Sequence, residues 1–455
     1  SPPPPPPPPP HSYSSAASDV YKRQCKRRGF IFQSSDIYGG FKAVYDYGPL
    51  GVALKNNISQ LWWKAMTQIH ENIVGLDSAI LMHPKIWEAS GHVGAFNDPL
   101  VDCKHCKARF RADELTASEQ TNWKEMICPK CGTKGSLTEP RQFNLMFKTH
   151  IGPVQSDSNI AYLRPETAQG LYVNYLLVQN AMRLKLPFGI AQVGKAFRNE
   201  IVARNFVFRT REFEQMEMQY FVKPDTDDKS LNDWKDERLS FYSQLGIDKS
   251  NLRFKKHGAD ELAHYAKEAW DIEYNFPFGW SEVEGIHNRT DFDLKQHQEF
   301  SGKKMEYFDT ENNERYLPFI VETSAGLNRM MLAVLSDAYW HDNENNRIVM
   351  KLDPKIAPVM AVVCPLVKKD GLPEIGRTVM DILKPEFKVV YDQQGSIGKR
   401  YYRQDEAGTP FGITIDHQSK EDQSVTLRHR DTQLQERINI DQLITAIKNK
   451  LENFS

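Results

Sequence analysis

Residues 197–221 read FRNEIVARNFVFRTREFEQMEMQYF, setting arginines and glutamates among the aromatic and aliphatic residues that usually fill the inside of a sheet. In a strand, residues two apart share a face. Arg198 and Glu200 then point one way and Phe197 and Asn199 the other, and the VARN stretch at 202–205 makes a turn. On the returning strand Arg209, Arg211, Phe213, Gln215 and Glu217 lie on one face, with Thr210, Glu212, Glu214, Met216 and Met218 on the other. Burying such faces is costly unless the charges pair with each other or bind something charged. An ion-pair ladder on an exposed sheet meets that condition, and so does a groove. Arg209, Phe213 and Glu217 recur every fourth residue, so at about 3.3 Å per residue they sample one ligand at intervals of ~13 Å. Arginine forks onto phosphate oxygens, an aromatic face stacks on a base, and a carboxylate holds an ammonium.

Around this stretch the 455-residue chain has room for two to four domains at about 150 residues each. Hydrophobic residues at 40% and charged residues at 26% are ordinary for a globular protein. No apolar run approaches the ~20 residues that span a bilayer, so no membrane role is expected. Lys+Arg 58 against Asp+Glu 59 neither announces a nucleic-acid partner nor excludes a locally basic face. Six cysteines are too sparse for a disulfide scaffold, and four of them form two C-x-x-C pairs, which favours a reducing compartment and hence the cytoplasm.

Residues 1–24 open with a proline run followed by small polar residues; they are set aside as a non-core tail, either a ligand for a proline-binding module or an artefact. A helix is expected from Pro49, with Leu50, Leu54, Ile58, Leu61, Ala65 and Ile69 on one stripe widened by Trp62 and Met66. Residues 99–140 read as a cysteine-rich insertion and 225–270 as a polar helical one. Near Asp353 the texture changes, and 354–455 alternates helix and strand patterns as a separate α/β domain.

The pattern F-R-x-E, turn, R-x-x-x-F-x-x-x-E resembles the second signature motif of class II aminoacyl-tRNA synthetases. ETSAGLNRMMLAVL, with Arg329 in the first turn of a helix, resembles the third, and the Pro49 helix resembles the first, dimer-forming motif. RPETAQG, FPFGWSEVEGI, RTDFDL and SIGKRYYRQDEAGTP are together similar to the homodimeric glycyl-tRNA synthetases, from Cys25 to the C-terminus. The resemblance implies an α+β catalytic domain over 25–353, an antiparallel sheet flanked by helices, followed by an anticodon-binding domain. It implies ATP, Mg2+, glycine and tRNA(Gly) as partners and a homodimer.

It also implies roles. Arg198 is expected at the α-phosphate and the glycine carboxylate, and Arg209 and Arg329 at the γ-phosphate, with Arg198 and Arg329 catalytic. Phe213 would stack on adenine and Glu200 would sit near its amino group. The same matched segments place ATP contacts at Asn199, Phe208, Thr210, Arg211, Glu212, Val283, Gly326, Leu327 and Asn328, and make Glu282 a candidate magnesium ligand. Arg329 has support of its own, since helix N-termini favour anions. Glycine offers only an ammonium and a carboxylate. The resemblance puts Glu166, Glu217, Glu322 and Ser324 around it, with Arg111, Phe213, Glu214, Gln215, Met216, Thr323, Ala325 and Gly326 as further contacts. Larger amino acids meet a wall, so no editing domain is expected.

Cys103, Cys106, Cys128 and Cys131 leave 21 residues between the pairs. They suit a four-thiolate structural Zn2+ site; reduced thiols or a remnant site are the alternatives. Cys25 and Cys364 read as packing residues. In the C-terminal domain Lys399, Arg400, Arg403, Arg428 and Arg430 are candidates for RNA phosphates and Tyr401 or Tyr402 for a stacked base, each also readable as an ordinary surface group. His83, His92 and His287 stand isolated in sequence and read as hydrogen-bonded structural residues. A prolyl, threonyl or histidyl enzyme and a catalytically silent RNA-binding protein are the competing readings; the carboxylate-rich pocket and the retained arginines argue against them.

Overall fold

The structure, a computed structural model, describes residues 23–115, 122–156, 159–201, 205–258, 261–263 and 265–452. Helix α1 (Pro49–Lys64) has proline in its first turn, where no amide hydrogen is needed, and continues into a π turn over Ala65–Ile69. Its buried stripe is Gly51, Leu54, Ile58, Trp62 and Met66, spaced three and four apart so that one face turns inward. Leu50, Leu61 and Ala65, expected on that stripe, lie at its edge, and Ile69 is exposed. Gly51 is required by contact, since a Cβ there would stand 1.8 Å from the Phe30 carbonyl oxygen.

The chain then lays down β1 (Ile73–Gly75) and a separate small sheet from β2 (Asn97–Asp102), β3 (Arg109–Arg111) and β4 (Arg141–Asn144). The main sheet follows: β5 (Phe188–Phe197), β6 (Glu212–Val222), helix α2 (Asp227–Gln244), β7 (Leu252–Lys256), β8 (Glu268–Phe276), β9 (Gly279–Thr290), β10 (Phe319–Gly326) and helix α3 (Leu327–Ala338). Among the described residues its strand order is β7-β8-β9-β10-β6-β5-β1, antiparallel except for β1 beside β5. β6 is an interior strand, between β10 and β5, and divides its residues by period two. Met216 and Met218 join Met330, Met331 and Leu335 of α3 in the core, while Gln215, Glu217 and Gln219 are 8%, 2% and 0% exposed on the other face. Glu200 and Glu217 are buried and the other described charges of the stretch are half-buried, so it does not form a ladder on an exposed sheet.

Three differences from the sequence reading stand out. Arg198–Glu200 and Arg209–Arg211 lie beyond the ends of β5 and β6, so the paired strands are shorter than expected; residues 202–204 of the expected turn lie outside the described residues. Among its described residues the 225–270 stretch is helical over α2 and a 3-10 turn at Lys249–Asn251; its second half supplies β7, the edge strand of the main sheet, and the start of β8. Its polarity has a physical reason, since an edge strand such as LRFKK resists further pairing by carrying lysines. α2 itself is tied down by Arg238, whose Nε donates to Glu284 on β9 at 2.6 Å. The tail 1–24 overlaps the fold by two residues: 23 and 24 begin a helix over 23–28, Gln24 is 4% exposed, and its amide donates to Glu406 at 3.1 Å.

A second hydrophobic core gathers around β11 (Ala361–Pro365), α4 (Leu372–Leu383), β12 (Val389–Tyr391), α5 (Ile397–Asp405), β13 (Phe411–Ile415), β14 (Ser424–His429), β15 (Gln435–Asn439) and α6 (Leu443–Glu452). Its strand order is β12-β11-β13-β14-β15, with β11 parallel to β12 and β13. A buried ion network joins this unit to the main one: Asp405 on α5 accepts from Arg347 at 2.6 Å and from Arg428 at 2.9 and 3.0 Å, and Arg347 also holds Asp342 at 2.8 Å.

Candidate active site

A cleft opens on the polar face of β6, between β9, β10 and the start of α3, with an empty volume of about 890 Å³. Strand register builds its floor, since Glu217 pairs with Ser324, Gln219 with Glu322, and Glu322 with His287.

At one end lies a pit of buried carboxylates. Glu217 accepts hydrogen bonds from Thr167 Oγ1 at 2.5 Å, Ser324 Oγ at 2.7 Å and Gln215 Nε2 at 2.9 Å. Burial and the neighbouring charges of Glu322 and Glu166 push its carboxyl up to about 8. Burial alone would raise Glu322 too, but Arg289, 3.0 Å away, and His287, 2.7 Å away, outweigh it and hold it low. Glu166 is likewise held well below the usual carboxylate range, because His92 and Arg289 overcome its desolvation. The buried Gln215 Oε1 has no hydrogen-bond partner among the described residues. The pit thus holds two ionised acids, one acid that keeps its proton when the pit is empty, and an open acceptor.

The other end is cationic and aromatic. Arg198 donates from Nε to the Pro165 carbonyl at 3.0 Å and lies between the rings of Phe96 and Phe213, 5.2 and 5.4 Å from their centroids. Arg209 approaches Glu200 at 3.8 Å, and burial raises the Glu200 carboxyl despite Arg209 and Arg198. Arg329, where Gly326 leads into α3, lies 4.4 Å over Phe208 and 2.9 Å from Glu282, whose carboxyl it lowers.

Of the residues singled out in sequence, Glu166, Arg198, Glu200, Phe208, Arg209, Thr210, Phe213, Glu214, Gln215, Glu217, Glu282, Glu322, Ser324, Gly326, Asn328 and Arg329 line this cleft. Others do not. Met216, Val283, Thr323, Ala325 and Leu327 are fully buried, because period two turns Met216 to the back of the sheet and α3 encloses Leu327. Glu212 pairs with Lys195. Arg211 donates to the Glu200 and Lys42 carbonyls, bracing the approach to β6. Asn199 donates its backbone N–H to Leu145. Arg111 is fixed on β3 between Asp98, at 2.8 Å, and Asp113, at 2.7 Å. The cleft also contains Tyr265, His287 and Arg289, to which sequence reading gave no role there. The only signal for Arg289 was its place in RTDFDL; its pairing with Glu322 and Asp293 is a tertiary fact.

Outside the cleft, the four cysteines of the paired motifs meet. Their sulfurs lie within 4.8 Å of one another, with Cys103–Cys131 and Cys106–Cys128 each at 3.7 Å. Sulfurs around a tetrahedral ion with ~2.3 Å bonds stand about 3.8 Å apart, so the set fits four-thiolate coordination. Cys25 and Cys364 are buried, and their thiols are pushed up to about 12 by burial. In the C-terminal unit the expected RNA contacts divide sharply. Arg400, Arg428, Arg430 and Tyr401 are 3%, 4%, 1% and 9% exposed, and the three arginines are spent on carbonyls and aspartates, so these four are corrected to structural residues. Lys399 and Tyr402 are exposed. No helix among the described residues is long and apolar enough to cross a membrane.

Comparison with known proteins gives two matching family models. The tRNA synthetase class II core domain (G, H, P, S and T) matches residues 147–338, and the anticodon binding domain matches 360–450. The chain is 58% identical to the glycine–tRNA ligase of Treponema denticola over 438 residues, 94% of this chain and 96% of that one. It is 54% identical to that of Borreliella burgdorferi, at 94% and 96%, and 51% identical to that of Treponema pallidum, at 94% and 98%. In fold it is similar to a prolyl-tRNA synthetase from Cryptosporidium parvum solved with halofuginone and AMPPNP (TM-score 0.67, 16% identity, 98% of this chain and 77% of that one).

Proposed function

The chain belongs to the glycine–tRNA ligase family of class II aminoacyl-tRNA synthetases, and from that premise we propose which of its side chains carry the reaction. The enzyme attaches glycine to tRNA in two steps and uses ATP and Mg2+. A glycine carboxylate oxygen attacks the α-phosphorus of ATP, the bond from that phosphorus to the bridging oxygen breaks, and pyrophosphate leaves; a hydroxyl of the terminal ribose of tRNA then takes the glycyl group from the adenylate, releasing AMP and the hydroxyl proton.

In our reading Arg198 holds the α-phosphate and the glycine carboxylate, where negative charge gathers in the transition state, and the two flanking rings keep it aimed. Phe213 stacks on adenine with Glu200 near its amino group, and Arg209 and Arg329 take the far phosphates. Glu282 holds Mg2+, which supplies neutralising charge to the phosphates. The carboxylate pit takes the ammonium: Glu166 and Glu322 provide standing charge, Glu217 gives up its proton on binding, and Gln215 Oε1 and Ser324 complete the shell. The same reading takes the pit to turn away any larger side chain.

The observation that carries this reading is the position of Glu217, 2% exposed and within hydrogen-bond reach of Ser324, in the same cleft as Arg198. Pyrophosphate exchange dependent on glycine, and absent with alanine, serine or proline, tests it.

Four further assignments belong to the same proposal. The four-cysteine cluster holds structural Zn2+, supported by the fit of its sulfurs. The enzyme is a homodimer, for which exposed Trp63, Ile69 and Leu177 offer apolar surface near β1. The free cysteines suit a reducing cytoplasm. Anticodon recognition falls to the exposed Lys399 and Tyr402 rather than to the buried arginines.

A further inference from the structure

Residues 90–96, SGHVGAF, lie on a short turn that no signature motif covers, yet both poles of the active site lean on it. Gly91, at φ 80, turns the chain into the helical segment His92–Ala95. Ser90 Oγ lies 2.8 Å from His92 Nδ1, and His92 Nε2 lies 3.3 Å from Glu166 Oε2. A proton on Nε2 aimed at the carboxylate fits the second contact, and the Ser90 hydroxyl, which can donate or accept, fits the first. Trp87 meets the His92 ring edge-on at 5.6 Å, and Phe96 lies against it at 5.2 Å. Phe96 then faces the Arg198 guanidinium at 5.2 Å, opposite Phe213.

The backbone of this turn is fixed as firmly as its side chains. Asn144 Nδ2 donates to the His92 and Val93 carbonyls, each at 3.1 Å. Leu145 N–H donates to the Phe96 carbonyl at 3.0 Å, and the Leu145 carbonyl accepts from Asn199 N–H at 2.7 Å. The turn and the Arg198–Asn199 segment therefore share a single brace.

We propose that His92 and Phe96 are positioning residues for the two charges that read glycine, His92 aiming Glu166 at the ammonium and Phe96 aiming Arg198 at the carboxylate and α-phosphate. The proposal rests on the site reading above. A guanidinium confined between two aromatic faces keeps its plane while leaving its Nη donors free. Glu166 is held at both oxygens, Oε2 by His92 and Oε1 by Gln169 Nε2 at 3.0 Å, which fixes its plane while each oxygen keeps a second lone pair for the ligand.

The test is steady-state pyrophosphate exchange, with glycine and ATP varied separately, on the full chain. His92→Ala raises glycine KM about tenfold with ATP KM changed by less than about twofold, and His92→Gln, which keeps a donor near Nε2, recovers most of it. Phe96→Leu, which keeps apolar bulk but loses the ring face, lowers kcat about three- to thirtyfold, and Phe96→Tyr stays near the parent value. Glu166→Gln and Arg198→Ala are measured alongside. If these two abolish exchange while His92→Ala and Phe96→Leu match the parent, the positioning role is overturned and the site reading stands. If Glu166→Gln and Arg198→Ala leave exchange intact, the site reading itself falls, and the proposal with it. If the His92 and Phe96 variants depress every kinetic parameter in proportion to a loss of melting temperature, and Gln and Tyr recover nothing, the residues are merely structural and the proposal is overturned.

Discussion

Glu282 Oε2 stands 2.9 Å from Arg329 Nη1, so the acid read as a magnesium ligand and the arginine read as a phosphate ligand neutralise each other across the mouth of the cleft. The pair keeps two charges stable in a site without nucleotide, and ATP with Mg2+ must separate it, giving each member a partner of the same charge type as the one it loses. Glu282→Gln therefore weakens Mg2+ binding while leaving ATP able to bind: half-saturation by Mg2+ in pyrophosphate exchange rises about tenfold and ATP binding without metal is unchanged or tighter. Titration of both ligands checks this.

Arg198 faces a second test. Arg198→Ala is expected to lower the adenylate-forming rate by about 10²–10³, the size of effect seen when one transition-state charge partner is removed. tRNA binding, measured by filter retention or fluorescence, stays within about threefold, because Arg198 sits in the nucleotide cleft and away from the C-terminal unit.

The protonated state of Glu217 makes glycine binding depend on pH. Burial and the neighbouring carboxylates of Glu322 and Glu166 push its carboxyl from an ordinary 4.5 up to about 8, so between those values the folded state holds more protons than the unfolded one. This group's stabilisation is thus present at the acid end and lost as pH rises through about 8. Glycine's ammonium requires the carboxylate, so binding expels the proton. Affinity should rise between about pH 6 and 8, with up to one proton released, and then level off. Calorimetry in buffers of differing ionisation enthalpy measures the release, which Glu217→Gln abolishes.

The network at Asp405 supports a stability prediction. Asp405→Ala leaves Arg347 and Arg428, both almost fully buried, without their shared acid. Removing one member of a buried pair costs about 3–5 kcal/mol, so chemical denaturation should move to lower denaturant with adenylate formation per folded molecule unchanged.

For the cysteine cluster, the purified protein should carry about one zinc per chain by atomic absorption, and Cys128→Ser should lower both zinc content and melting temperature. β2 and β4 connect this module to Phe96 and Leu145, so the loss should extend to the ATP half of the cleft.

How much of this was legible in the sequence depends on the range of the interaction. The period-two pattern of β6 correctly separated Met216 and Met218 from Gln215 and Glu217, because strand geometry acts locally. Proline at the start of α1 and the cysteine spacing were local signals of the same kind. The role of Arg289 was not legible, since its pairing with Glu322 depends on a register between β9 and β10 that only the folded sheet establishes. Arg428 and Arg430 misled for the same reason: a basic residue in a polar strand looks solvent-facing until its buried aspartate or carbonyl partners, Asp405, Leu352 and Gly408, are in place. His92 appeared isolated because Ser90, Glu166 and Phe96 meet it only through the turn at Gly91.

The central claim is that buried carboxylates read the glycine ammonium. Pyrophosphate exchange with glycine, alanine and serine, compared between the parent enzyme and Glu217→Ala, tests it most directly. The account predicts exchange by the parent with glycine alone, and a variant whose glycine KM rises at least about tenfold while ATP KM moves by less than about twofold. Equal shifts in both constants, or parent exchange with alanine comparable to that with glycine, would contradict it.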